Sequence, residues 1–128
     1  MAETLLYLTL GTNDLKRATV FYDAALAPLG YTLMHSEEGG IGYSSPEDRR
    51  IRLWIVEPYD GKPATFGNGS MVALSAPSQE AVQAFYKAAL AAGGSDEGAP
   101  GLRPYSDTFY AAYVRDPDGN KISAVHGA

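Results

Sequence analysis

Two rhythms of apolar residues alternate along this chain. Residues 4–11 (TLLYLTLG) alternate through a leucine-rich run, which predicts a strand. Leu6, Leu8 and Leu10 then share one face, and Leu5, Tyr7 and Thr9 the other. From Leu15 the spacing becomes helical: Leu15, Ala18, Phe21, Tyr22, Ala25 and Leu26 recur on one stripe. Asn13 or Asp14 offers the N-cap oxygen. Pro28 lacks an amide donor and Gly30 tolerates positive φ, so the helix stops there. Short strands follow at 31–36, 40–44 and 51–57, the last two joined by the turn SPEDRR. Residues 58–69, with two prolines and three glycines, read as a linker. The rhythm then restarts. A strand at 69–75 puts Val72 and Leu74 on one face and Met71, Ala73 and Ser75 on the other. A helix opens at Pro77-Ser78, carries Ala81, Val82, Phe85, Ala89 and Leu90, and ends at Gly93-Gly94. Residues 95–104, rich in glycine and proline, are expected to be a loop. Segments 109–115 and 121–126 form a hairpin around DPDGN.

The restart is a repeat. Residues 7–30, YLTLGTNDLKRATVFYDAALAPLG, align without a gap on residues 71–94, MVALSAPSQEAVQAFYKAALAAGG. Leu10/Leu74, Phe21/Phe85, Tyr22/Tyr86, Leu26/Leu90 and Gly30/Gly94 coincide. A solenoid normally needs three or more units, so two copies predict a paired, pseudo-symmetric domain. The expected fold is α+β: a βαβββ module over 1–57, a linker over 58–69 and a second βαβββ module over 70–128. Each sheet covers its helix with one face and leaves the other free. A groove between such copies is a natural ligand site.

Composition narrows the function classes. Apolar residues make up 45% of the chain and charged ones 20%, as in ordinary globular proteins. No apolar run is long enough to span a membrane, and the N-terminus does not read as a signal peptide. Cysteine is absent, which excludes disulfides, thiolate metal sites and a thiol nucleophile and agrees with a cytoplasmic location. A net charge of −5 argues against nucleic acid as a partner.

The segments GTNDL at 11–15, Phe21-Tyr22, Leu26, Gly30, GNG at 67–69, GAPGLRP at 98–104, YAAY at 110–113 and DPDGN at 116–120 resemble the glyoxalase/bleomycin-resistance/dioxygenase superfamily, the vicinal oxygen chelate proteins. The resemblance covers nearly the whole chain. It implies paired βαβββ modules around a cupped site, often in a homodimer, and in many members a divalent metal that polarises substrate oxygens. The positions that the family gives to metal ligands are filled differently here. Tyr7 stands in the first strand where a His is common, Met71 stands at the matching point of the second copy, and Ser123 follows Asn120-Lys121-Ile122 where a Glu is usual. The remaining position falls near Arg52 to Trp54, without a His, Asp or Glu. Divalent transition metals need imidazole, carboxylate or thiolate donors, so the resemblance carries no metal or other cofactor over to this chain. Strand parity puts Tyr7, Met71 and Ser123 on the face away from each helix, with Arg52 or Trp54 closing a neutral, mostly apolar cup.

Other residues suit a ligand. Arg103 can clamp a carboxylate or phosphate, or stand solvated at the surface. Tyr110 and Tyr113 have opposite parity, so at most one lines the cup; Tyr110 is taken as the lining residue. Asp116 and Asp118 are turn residues rather than an acid/base pair. No nucleophile–base set marks a catalytic centre, and the catalytic residues stay unknown. The expectation is a metal-free binder of a modest, partly apolar or aromatic small molecule, acting as a homodimer, with ligand residues Tyr7, Arg52, Trp54, Met71, Arg103, Tyr110 and Ser123. The alternatives are a lyase, isomerase or dioxygenase relative with a non-standard active site, and a structural dimer whose cup is filled by side chains.

Overall fold

In the computed structural model the described residues are 4–128. Met1, Ala2 and Glu3, part of the expected first module, lie outside them. The order is β1 (Leu8–Gly11), α1 (Leu15–Leu26), a 3-10 turn (Ala27–Leu29), β2 (Thr32–Glu37), β3 (Gly40–Ser44) and β4 (Ile51–Val56), then β5 (Val72–Ser75), α2 (Gln79–Ala91), β6 (Ser95–Leu102), β7 (Tyr110–Arg115) and β8 (Lys121–His126). Two four-stranded mixed sheets result, ordered β1-β4-β3-β2 and β5-β8-β7-β6. The fold is α+β, with two βαβββ modules forming the cupped, pseudo-symmetric pair that the repeat predicts.

Local chemistry sets the helix ends. Asp14 caps α1 by accepting from the Arg17 amide, and Ser78 caps α2 by accepting from the Ala81 amide. Gly30 closes the turn after α1 in the left-handed region, at φ 86°. Residues 95–104 correct the loop expectation: most of them form β6. Glycine and proline hide a strand here because β6 is the outer strand of its sheet. There Pro100 costs the ladder nothing, and two irregularities in the register with β7 absorb Gly98 and its neighbours.

The core is shared. Phe21, Tyr22, Ala25 and Leu26 of α1 belong to one buried cluster with Val82, Phe85 and Ala89 of α2. Ile41, Tyr43, Leu53 and Ile55 of the first sheet join it, as do Ala112, Val114, Ile122 and Ala124 of the second. The two helices pack against each other. Each fully buried Phe or Leu contributes about 1.5–3 kcal/mol by leaving water.

The DPDGN turn fastens one module to the other. Asp116, buried, accepts from the Tyr22 hydroxyl at 2.6 Å, from the Asn120 side chain at 2.8 Å and from the amides of Asp118 and Asn120. Asp118 accepts from the Thr12 hydroxyl, the Asn13 amide and Arg17 Nη2. Asp118 is therefore occupied at the start of α1 and Asp116 by Tyr22 farther along the helix and by its own turn. The loop between β4 and β5 is also tied down, since Asn13 pairs with the Ala64 backbone through both side-chain atoms and the Phe66 ring lies on Gly119.

Candidate functional site

Register decides which side chains share a face. In the first sheet Leu8 and Leu10 pair with buried Leu53 and Ile55, so they face the helices. Thr9, Trp54 and Gly42 pair on the opposite, open face. His35, paired with Gly42, stands edge-on to the Trp54 ring with centroids 5.6 Å apart. Gly42 makes room for that ring: a Cβ there would come within 2.9 Å of Trp54 Cζ3 and of Ile51 Cγ2. Arg52 donates through Nη1 to the Leu6 carbonyl at 2.7 Å and pairs with Asp48, so it holds down the segment ahead of β1. The same contact holds the exposed Asp48 carboxyl below the usual carboxylate range. Tyr7 precedes β1 and is more than half exposed.

In the second sheet Val72 and Leu74 pair with Ile122 and Ala124 toward the core. Ala73, Ser123, Tyr113 and Gly98 pair across the open face. Ser123 belongs to this face by register but lies fully buried, its hydroxyl donated to the Ala112 carbonyl at 3.0 Å. Over the sheet lies a cavity of about 460 Å³, lined by Met71, Glu97, Gly98, Arg103, Tyr105, Phe109, Tyr113 and Lys121. Tyr105 and Phe109 meet edge to face at 5.1 Å. The Arg103 guanidinium lies 5.2 Å, and the Lys121 ammonium 5.6 Å, from the Tyr113 ring centre. A smaller crevice of about 230 Å³ lies between the β1 and β5 edges, against Leu8, Leu10, Phe66, Met71 and Val72. Met71 and Lys121 thus border both spaces.

The structure brings Met71 and Arg103 together on one cavity. Arg52 and Trp54 stand on the other sheet and Tyr7 just ahead of it, and none of the three lines either space. Tyr110 turns to the helix side, where it packs on the core and its hydroxyl meets Gln83 Nε2 at 2.8 Å. Tyr113 holds the open-face place. Lys121 stands two residues before Ser123 and so shares its parity, the sequence signal that places it on this face.

The positions where the family holds a metal do not fit one here. A phenol at Tyr7, a thioether at Met71, the Ser123 hydroxyl and the cationic Arg52 lack the anionic or imidazole donors that a divalent ion needs. Among the described residues, no three His, Asp or Glu side chains gather closely enough to hold an ion. Among the described residues, no helix is long and apolar enough to cross a membrane.

Comparison with known proteins agrees with this architecture. Solved structures include a glyoxalase/bleomycin resistance protein from Albidiferax ferrireducens T118, 39% identical, with a TM-score of 0.87 over 98% of this chain and 100% of the relative. A glyoxalase-related enzyme from Fulvimarina pelagi is 20% identical, with a TM-score of 0.77 over 98% and 89% of the two chains. A family enzyme from Burkholderia phytofirmans PsJN is 18% identical, with a TM-score of 0.74 over 98% and 100%. These two show the fold alone. No functionally curated protein matches this chain. The family model for the glyoxalase/bleomycin resistance protein/dioxygenase superfamily matches residues 4–124, and the chain belongs to that superfamily.

Proposed function

We propose that this protein is a metal-free small-molecule binder of its superfamily, with a modest, partly aromatic or apolar ligand. The observation that carries the reading is the aromatic-lined cavity on the open face of the second sheet. Met71, Tyr105, Phe109 and Tyr113 give it an apolar lining, and its volume falls in the range of small-molecule sites, about 300–1,000 Å³. The donor chemistry at Tyr7, Met71 and Ser123 supports binding without a metal. A homodimer belongs to the same reading. Leu5, Leu6 and Tyr7, just ahead of the outer strand of the first sheet, and Leu8, which opens it, are exposed, an apolar edge suited to cover by a second copy. The acidic balance and the absence of cysteine support a cytoplasmic protein that does not engage nucleic acid.

Thermal-shift screening against small aromatic compounds tests binding. A true ligand raises the unfolding temperature in proportion to the logarithm of its concentration above Kd. Met71→Ala should weaken that response more than it lowers the unfolding temperature of the free protein. A screen of flat aromatic compounds without a saturable response would favour a filled cup. Elemental analysis after dialysis should find far less than one transition metal per chain, and a stoichiometric ion would overturn the metal-free part. Light scattering at tens of micromolar should give the dimer mass.

A further inference from the structure

We infer that the cavity over the second sheet selects a ligand that joins an aromatic body to an anionic head, an aryl carboxylate being the simplest case. This rests on the reading of that cavity as a ligand site and names the charge class of its occupant. Three observations converge on it.

First, two cations, Arg103 and Lys121, line the cavity, and among the described residues neither forms an ion pair with a carboxylate. Lys121 is half-buried, its ammonium meets the Tyr113 ring, and among the described residues no carboxylate pairs with it. Arg103 spends Nη1 on the Gly101 carbonyl at 2.8 Å and Nη2 on the Ala99 carbonyl at 2.6 Å. Carbonyl dipoles satisfy its donors but do not cancel its charge. Glu97, the one carboxylate in the lining, is engaged by Arg115 at 3.1 Å. In a chain of net charge −5, two uncompensated cations on one concave face run against the overall balance. A ligand anion supplies what the protein leaves out, and charge-assisted hydrogen bonds are stronger than neutral ones.

Second, the guanidinium is held in place before any ligand arrives. Its bed is cleared of side chains: a Cβ on Gly98 would come within 2.9 Å of Tyr113 Cδ2 and 3.3 Å of Arg103 Nη2, and one on Gly101 within 3.1 Å of Nη1. A fixed cation loses little entropy on binding, so its attraction is available to the ligand. Third, the rest of the lining is aromatic and thioether surface from Tyr105, Phe109, Tyr113 and Met71, which receives a flat apolar body. The open face of the first sheet shows the opposite arrangement, with Arg52 paired to Asp48 and His35 beside Glu37 at 3.2 Å.

The test uses three probes of one shape: 2-naphthoate, 2-naphthamide and 2-naphthylmethylammonium, titrated calorimetrically into the full chain at low salt. Naphthoate should bind about tenfold more tightly than the amide, and the ammonium more weakly than either. Lys121→Met should erase most of the preference for naphthoate over the amide, read as the ratio of the two affinities within that variant. Circular dichroism confirms that the variant is folded, and the wild-type probe series stands without it. Equal binding of amide and carboxylate, or a preference that survives Lys121→Met, overturns the anion inference and leaves the binding reading standing. Failure of all three probes to bind overturns both.

Discussion

The two modules share a plan and differ in what they show to solvent. Toward the core they match: Phe21 and Phe85 are both fully buried, as are Ala25 and Ala89. On the open faces they diverge. The first sheet sets a lone tryptophan over Gly42 beside His35, and its cation Arg52 is paired. The second sets a tyrosine over Gly98 between regions of uncompensated positive charge. The contrast teaches where a duplicated unit is constrained. Core positions touch residues from both copies, so a change in one is felt by the other at close-packed density. Open-face positions answer only to solvent and ligand, and each copy carries its own chemistry. Even the helices follow this rule. Tyr22 is buried against Asp116, whereas its counterpart Tyr86 reaches Asp96 at the surface.

The sharpest way to break the core half of this comparison is Phe21→Ala against Phe85→Ala. Both should cost about 3–5 kcal/mol in chemical denaturation. Because the cluster spans both modules, each variant should still unfold in a single transition. A cost below about 1 kcal/mol, or two separate transitions, would mean that the modules have separate cores.

Gly42→Ala probes the open face of the first sheet. The added methyl meets Ile51 and Trp54 at 2.9 Å and should cost about 1–3 kcal/mol by overpacking. Trp54 is the only tryptophan, so its emission should shift as the ring is displaced from His35. Unchanged emission would contradict the placement of the ring on that glycine.

Tyr22→Phe tests the latch between modules. Asp116 keeps three other donors, so the loss should be about 1 kcal/mol. The variant also has a pH signature. Burial, and then the Asp116 carboxylate, push the Tyr22 hydroxyl well above the usual tyrosine range. Burial and Asp23 do the same for Tyr43. The folded chain therefore keeps protons that the unfolded chain loses from about pH 10. Stability should be full below that pH and fall as pH rises toward the folded-state values. Tyr22→Phe should make the alkaline decline shallower, read as the denaturant midpoint at pH 8 and at pH 10.5. The smallest effect belongs to Arg17→Ala. Its exposed contact with Asp118 should contribute about 0.2–1 kcal/mol and fade with salt.

Much of the fold is legible along the chain because it is local. Helical spacing marks α1 and α2, Asp14 and Ser78 cap them, and parity sets Ser123 opposite Ile122 and Ala124. β6 was not legible, since an outer strand needs neither regular alternation nor an amide at every position, and Pro100 and Gly98 hide it. The candidate site was legible only in fragments. Parity separates Tyr110 from Tyr113 but cannot say which of them faces the core.

The sequence by itself determined the duplicated βαβββ plan and the positions of the two helices. Both follow from residue type and spacing, whereas the ligand positions set against Tyr7, Met71 and Ser123 came from the family resemblance. Tertiary structure alone decided that Met71, Arg103, Tyr113 and Lys121 share a cavity while Arg52 and Trp54 stand on the other sheet, with Tyr7 just ahead of it. That grouping depends on how β6 and β7 pair around two irregularities, and on α1 and α2 packing into one core. Those contacts join residues far apart in the chain, and no local pattern of apolar and polar positions encodes them.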